Sequence, residues 1–197
     1  MVGQIWFVDQ KGDPHLWKDS PLSSSHPYRL YHFLADLDQT LERYPQDYKR
    51  LQAISKLCRR LLQQASWLKD SCPPPDPKLG WSVMILYDEP TYAQTVQLVG
   101  WDPGTSSPVH NHATWGVVAL LQGQEKNTFW QQDIDGRIHK TGELILNPGD
   151  MLCLTSDAIH QVEVLGEQPT FSFNLYGETH YAERYEFDPI AQTRKLF

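Results

Sequence analysis

Cysteine is scarce in this sequence, and its few copies show neither a disulfide framework nor a metal-binding cluster. Cys58, Cys72 and Cys153 are an odd number in 197 residues, and no two of them form a C-x-x-C pair. Such usage is typical of free thiols in a reducing compartment, where a cysteine packs as a small apolar residue. We therefore expect a cytoplasmic protein with three unpaired cysteines.

Long apolar stretches and an excess of positive charge are also missing. No apolar run approaches the roughly 18 residues of a membrane-spanning helix, and residues 1–11 lack the charged-then-apolar order of a secretory signal. Lysine and arginine number 17 against 24 aspartates and glutamates, a net charge of −7, and the isoelectric point is near 5.5. Because nucleic acids and anionic membranes bind basic surfaces, we expect neither as a partner.

The first part of the chain carries a helical pattern. Apolar residues at spacings of three and four predict one amphipathic helix over 28–43 and a second that follows Pro45 and continues to Leu68. The run CPPPDPKLG at 72–80 then excludes a helix or a central strand. We predict an N-terminal segment, residues 1–80, whose two helices pack on the domain that follows.

Residues 81–190 change to short runs of alternating character separated by turns, and many short strands at regular spacing favour a sandwich or barrel. Hydrophobic residues make up 40% of the chain, enough for a core in a domain of this size. Residues 191–197 are interpreted as a tail. The predicted strands are 81–87, 93–101, 107–112, 116–122, 124–131, 138–140, 143–146, 150–154, 160–165 and 170–176.

Two histidines one residue apart are the most informative feature of the chain. His110 and His112 lie in the pattern G-x5-H-x-H-x3-G-x6-G over residues 104–123, and His160 follows a second run marked by glycine and proline. Alternate residues of a strand face the same side, so the two imidazoles can share one metal ion, and a third histidine from a neighbouring strand can join them. The alternative is that these histidines line a barrel or its surface without a metal.

These residues resemble the cupin superfamily, whose first motif reads G-x5-H-x-H, then a glutamate after three or four residues, then G after six more. Every fixed position matches except that Gly116 stands in place of the glutamate. Gly142 and Pro148 match the second motif, in which His160 comes later than usual. The resemblance implies a mainly β fold, a double-stranded β-helix (jelly-roll) barrel with a metal in its mouth, preceded here by the N-terminal helical segment.

The sequence H-x-H-x-x-W-G at 110–116 is similar to one cupin branch, the thiol dioxygenases, which act on cysteine or 3-mercaptopropionate. Members of this branch bind iron(II) through three histidines without a carboxylate, and bacterial members often carry glycine where Gly116 stands. The resemblance covers most of residues 28–190. It implies His110, His112 and His160 as ligands of Fe(II), with Zn, Ni and Mn as alternative metals.

A later run resembles the Ser-x-His-x-Tyr relay of the same branch. Ser172, Asn174 and Tyr176 occupy its positions, with asparagine in place of histidine, and strand alternation predicts that all three share one face. The resemblance implies catalytic roles for them, with Tyr176 donating a hydrogen bond to the reactants. Asn174 can orient Tyr176 but cannot carry a proton. The alternative for Tyr176 is an ordinary half-buried strand tyrosine.

Two further residues are expected at the substrate. Arg184 follows Tyr176 by eight residues, as an arginine does in the bacterial 3-mercaptopropionate enzymes, and its planar guanidinium suits a carboxylate. The alternative is a surface ion pair with a neighbouring acidic residue. Trp115 is expected to line the site and keep it dry. Residues 83–87, where animal-type enzymes carry their arginine, contain none, which favours 3-mercaptopropionate over cysteine.

Three neutral imidazoles would leave a metal ion its full charge and several open positions, which suits an anionic thiolate. The expected reaction joins a small thiol-carboxylate and O2 to give a sulfinate. Two other functions stay open. One is a zinc-dependent hydrolase or lyase that uses an acidified water, and the other is a non-enzymatic cupin that binds a metal or small ligand. A homodimer is an expectation by analogy with cupins.

Overall fold

The alternating runs of the sequence form strands, and the periodic runs form helices. Residues 3–18 and 27–197 are described by the computed structural model. The helices are α1 (Leu30–Arg43), α2 (Asp47–Gln64) and the short α3 (Trp67–Asp70). The strands are β1 (Ile5–Val8), β2 (His15–Trp17), β3 (Trp81–Glu89), β4 (Tyr92–Trp101), β5 (Val109–Asn111), β6 (Gly116–Gln122), β7 (Gln124–Gln132), β8 (Ile138–Leu146), β9 (Met151–Leu154), β10 (Ile159–Leu165), β11 (Thr170–Tyr176), β12 (Tyr185–Asp188) and β13 (Thr193–Leu196).

The strands make two sheets with a cavity between them. One sheet has seven strands in the order β2-β1-β9-β6-β11-β4-β3, and the other has six in the order β13-β12-β5-β10-β7-β8. Neighbouring strands run antiparallel, except that β1 lies parallel to β9. The expected fold class is confirmed: the protein is mainly β, with two facing sheets and a helical segment in its N-terminal part.

Strand alternation separates the helix-facing side of the seven-stranded sheet from the cavity. On β11, Phe173 and Leu175 are fully buried in the core that also contains helix residues Phe33, Leu37 and Leu51. The ring of Phe33 meets that of Phe173 edge-on, with centroids 6.0 Å apart. The intervening residues of β11 face the opposite way, into the cavity. The helices therefore cover one face of the sheet and leave its other face to the site.

Two regions contain more strand than the sequence indicated. Strand β1, within 1–80, extends the sheet beside β9, and the Gln4 N–H donates to Asp150 Oδ1 at 2.7 Å. Strand β13, within the expected tail 191–197, pairs with β12. Both strands are short, and their partners are distant or lie across a turn, so local periodicity carries little signal for them. Leu68 also lies outside the second helix, because α2 ends at Gln64.

The three cysteines are unpaired, as the sequence indicated. Cys58 and Cys153 are fully buried, Cys72 is half-buried, and all three are free thiols. Across residues 3–18 and 27–197, none of the helices combines the length and apolarity needed to span a membrane.

The packing of α1 on the sheet gives a stability prediction. Phe33→Ala removes a fully buried ring between the helix and β11, which should lower the free energy of unfolding by about 3–5 kcal/mol. Tyr31→Ala, on the same helix but 62% exposed, is the matched control and should change it little. Urea unfolding of both variants measures the difference. Equal effects would show that α1 is not anchored through Phe33.

Candidate metal centre

A cavity of about 560 Å³ lies between the two sheets. The seven-stranded sheet contributes side chains of β3, β4, β6 and β11 to its wall, and the six-stranded sheet contributes side chains of β5, β7, β10 and β12. Among the lining residues are all three histidines singled out from the sequence, His110, His112 and His160.

The three histidines converge because of the register between two strands. His110 and His160 are direct cross-strand partners on β5 and β10. His112 follows β5, two residues after His110. One nitrogen of each ring lies within 4.8 Å of those of the others, and the two Nε2 atoms of His112 and His160 are 3.0 Å apart. Two nitrogens that each lie about 2.1 Å from a shared ion at a right angle would be about 3 Å apart, so the spacing fits a metal.

Hydrogen bonds on the far side of two rings set their tautomers. His110 Nδ1 lies 2.9 Å from the carbonyl oxygen of Pro108, and His160 Nδ1 lies 3.0 Å from Asn127 Oδ1. Both partners are acceptors, so each Nδ1 carries the proton and each Nε2 keeps its lone pair for a metal. Sequence reasoning missed Asn127. It lies in the polar run QEKN at 124–127, where nothing in the sequence distinguishes it from its neighbours.

Burial keeps the three imidazoles neutral. It lowers the pKa of His110 to about 4 and holds the pKa values of His112 and His160 well below the ordinary range, with further lowering from the neighbouring histidines. Neutral imidazole is the form that coordinates a metal. The group is therefore ready to bind a cation near neutral pH without first releasing protons.

Gly116 and Tyr176 lie against each other beside the histidines. The two residues are cross-strand partners on β6 and β11, and a Cβ built on Gly116 would lie 2.9 Å from Cδ1 and Cε1 of the tyrosine ring. The same ring stacks on His112, with centroids 4.6 Å apart. Glycine is therefore needed at 116 for Tyr176 to lie beside the histidines, and the ring occupies the room that a side chain at position 116 would need.

The structure brings the predicted relay residues together on the cavity side of β11. Ser172, Asn174 and Tyr176 all line the cavity, and Asn174 Nδ2 donates to Ser172 Oγ at 3.0 Å. Burial raises the pKa of Tyr176 above its ordinary value. Its hydroxyl therefore stays protonated at neutral pH and can donate a hydrogen bond into the cavity.

Arg184 also lines the cavity, and the residue between the two histidines positions it. Asn111 Nδ2 donates to the carbonyl oxygen of Glu183 at 3.0 Å, and Asn111 Oδ1 accepts from the N–H of Tyr185 at 2.7 Å. This side chain thus holds the backbone on both sides of Arg184. The guanidinium carbon lies 4.0 Å from the ring centroid of Phe197, and its buried Nε has no acceptor among the described residues.

Trp115 is the one predicted site residue that the structure places elsewhere. It does not line the cavity and belongs to the core between the helices and the sheet. Its ring packs against Gly177, where an added Cβ would lie 2.3 Å from the indole Nε1. Neighbouring residues of an extended chain point to opposite faces, so a tryptophan directly before Gly116 faces away from the site. The expectation that it lines the substrate site is corrected.

The assembled site has three neutral nitrogen donors and no carboxylate among them. The group can hold a metal ion and leaves positions open for a ligand. A guanidinium and a phenol hydroxyl lie in the same cavity. A carboxyl group, Glu125, also lines it and was not anticipated from the sequence.

Comparison with known proteins identifies structures of similar shape. The chain matches no protein-family model. A cupin superfamily protein from Desulfitobacterium hafniense is 18% identical over 50% of this chain and 77% of its own, with a TM-score of 0.40. KdgF from Halomonas sp. is 18% identical over 53% and 86%, with a TM-score of 0.43. Oxalate oxidase in complex with glycolate is 15% identical over 52% of this chain and 53% of its own, with a TM-score of 0.43.

Proposed function

We propose that the protein is an iron(II)-dependent dioxygenase that converts a small thiol-carboxylate to its sulfinate. The observation that carries the proposal is a group of three neutral histidines that contains no carboxylate and lies beside Gly116 and the Tyr176 ring. A site with no anionic protein ligand favours an anionic substrate ligand, and a thiolate is such a ligand.

Different residues would bind the metal, bind the substrate carboxylate and donate a hydrogen bond in this reaction. Iron(II) held by His110, His112 and His160 would acidify the substrate thiol and activate dioxygen. Arg184 would bind the substrate carboxylate through its guanidinium, whose Nε has no acceptor in the part of the chain that the structure describes. Tyr176 would donate a hydrogen bond to the reactants. The thiol R–SH and O2 together give R–SO2H, so both oxygen atoms are used and no other reductant is required.

A zinc-dependent hydrolase or lyase is the second candidate. Asn174 stands where the relay histidine of thiol dioxygenases would be, and an amide cannot carry a proton. Three histidines with open positions also describe catalytic zinc, which acidifies a bound water. A non-enzymatic, ligand-binding cupin would show neither reaction.

Oxygen consumption tests the proposal. Protein loaded anaerobically with iron(II) is mixed with 3-mercaptopropionate, cysteine, cysteamine or the longer 6-aminohexanethiol in an oxygen electrode, and sulfinate is measured by mass. One sulfinate formed for each O2 consumed supports the dioxygenase. No uptake with any thiol, from protein shown to contain iron, would reject it and bring the zinc enzyme and the binding protein forward.

Loss of either partner in the β5–β10 pair should abolish metal binding. His110→Ala and His160→Ala each leave two nitrogen donors, which should lower the bound iron to a small fraction of that in the wild type. His139→Ala, which changes an exposed histidine on β8, is the control and should retain it. Elemental analysis after dialysis gives the metal content. Full iron content in both site variants would refute the ligand assignment.

Arg184→Ala should weaken substrate binding while iron stays bound. Removing the cavity guanidinium should raise KM at least ten-fold, because a charge-assisted bidentate contact to the carboxylate is lost. Arg194→Ala is the matched control, since that arginine also stacks on an aromatic ring of the same hairpin, 4.2 Å from the Tyr185 centroid, but is exposed. An unchanged KM in Arg184→Ala would show that this arginine does not bind the substrate.

Tyr176→Phe should lower kcat more than it changes KM, because the ring and its contact with His112 remain and only the hydroxyl donor is lost. Tyr185→Phe is the control, since its hydroxyl donates to the carbonyl oxygen of Ala182, away from the cavity. Steady-state oxygen uptake measures both variants. Equal kcat values for Tyr176→Phe and wild type would remove the phenol from the reaction.

A further inference from the structure

A buried carboxyl group without a cationic partner lies in the wall of the cavity. Glu125, on β7, is 2% exposed and accepts one hydrogen bond, from Thr170 Oγ1 at 2.8 Å. Within residues 3–18 and 27–197, no lysine, arginine or histidine forms an ion pair with it. Burying a carboxylate without a counter-charge is unfavourable, so such a group points to a ligand that compensates it.

The strand register separates Glu125 from the histidines. On β10, His160 is the partner of Phe129, and Val164 is the partner of Glu125. The backbone positions of Phe129 and Glu125 are four residues apart on one strand, about 13 Å. The carboxyl therefore belongs to a different backbone level of the cavity from His160, and it is not part of the group of three histidines.

Asn127 lies between these two levels, and its side chain is incompletely used. Its Oδ1 accepts from His160, but its buried Nδ2 has no acceptor among the described residues. The Nδ2 of Asn127 is therefore a second buried polar atom without a partner in the described residues, and it belongs to the strand position between Glu125 and the partner of His160. Burial also raises the pKa of Glu125 to about 7, against the hydrogen bond from Thr170, which lowers it.

A positively charged side chain, Arg184, lines the cavity on the side of the histidines opposite to Glu125. Arg184 precedes β12, which pairs with β5 so that Glu186 lies opposite His110. Glu125 belongs to β7, on the other side of β10.

The cavity of about 560 Å³ is also larger than a three-carbon thiol acid needs, since pockets of about 300–1,000 Å³ hold drug-sized ligands.

We infer that Glu125 forms an ammonium-binding subsite, and that the substrate is an elongated thiol with an ammonium group at the end remote from its carboxylate. The inference rests on the proposed function for the thiol and adds the class of substrate. Arg184 would bind the carboxylate, the metal the sulfur, and Glu125 with Thr170 the ammonium. In cysteine and cysteamine, two carbons separate sulfur from nitrogen. This spacing is shorter than the roughly 13 Å between the backbone positions of Phe129, opposite His160, and Glu125.

Anaerobic calorimetry on the iron(II)-loaded protein tests the subsite without turnover. The probes are 6-aminohexanethiol and 6-mercapto-1-hexanol, which match in length and differ in ammonium against hydroxyl, with cysteamine as the short aminothiol. We expect 6-aminohexanethiol to bind at least ten-fold more tightly than the other two. Equal Kd values for the length-matched pair in the wild type would overturn the inference, whatever the variants do.

The variant Glu125→Gln removes the charge and keeps an oxygen that can accept from Thr170. It should abolish the preference for the ammonium probe and leave the Kd of 6-mercapto-1-hexanol unchanged. Glu163→Gln is the matched control, because Glu163 lies on the neighbouring strand β10 and is paired with Lys126 at the surface. It should keep the preference. An equal loss for both probes in Glu125→Gln would assign Glu125 a structural role.

The two proposals fail in different ways. If the ammonium preference is measured but no thiol causes oxygen uptake, the dioxygenase is rejected and the subsite stands. If sulfinate forms from short thiols and the length-matched probes bind equally, the dioxygenase stands and the subsite is rejected. Melting temperatures of the variants within a few degrees of wild type show that binding, and not folding, has changed.

Discussion

The site depends on the register between β5 and β10. Strand β5 has three residues, and only two of its cross-strand pairs with β10 define the alignment, one of them His110 with His160. A shift of one residue would turn His160 to the opposite face of the sheet, because side chains alternate. Pairing of β12 on the other edge of β5 and of β7 on the other edge of β10 fixes this alignment from both sides.

The same strands position the groups that control the histidines. Asn127, on β7, holds the ring of His160, and the carbonyl oxygen of Pro108, just before β5, holds that of His110. Asn111 points away from the cavity and holds the segment that carries Arg184. Residues 110–112, at the end of β5, therefore supply two of the three histidines at alternate positions, and the residue between them positions the cationic group.

The cavity contains buried polar groups whose desolvation costs free energy, and a ligand that pairs with them would reduce that cost. Among residues 3–18 and 27–197, buried Arg184 Nε and Asn127 Nδ2 have no acceptor, and the Glu125 carboxyl has a hydroxyl donor but no counter-charge. Each such group costs free energy in the unliganded protein. The guanidinium of Arg184 and the carboxyl of Glu125 are of opposite charge and reach the cavity from strands on two sides of the histidines. This arrangement is the physical basis of the inference that the ligand is itself dipolar.

The sequence by itself determined the fold class, the two helices, most strands and the residues of the metal group, because those features depend on local periodicity and on a spacing within one strand. It also determined that Ser172, Asn174 and Tyr176 share a face. Only the tertiary structure decided that Trp115 faces the helices, that β1 and β13 extend the sheets, and that Asn127 and Glu125 line the cavity. Those features depend on contacts between residues far apart in the chain, and no local pattern records which strand lies beside which.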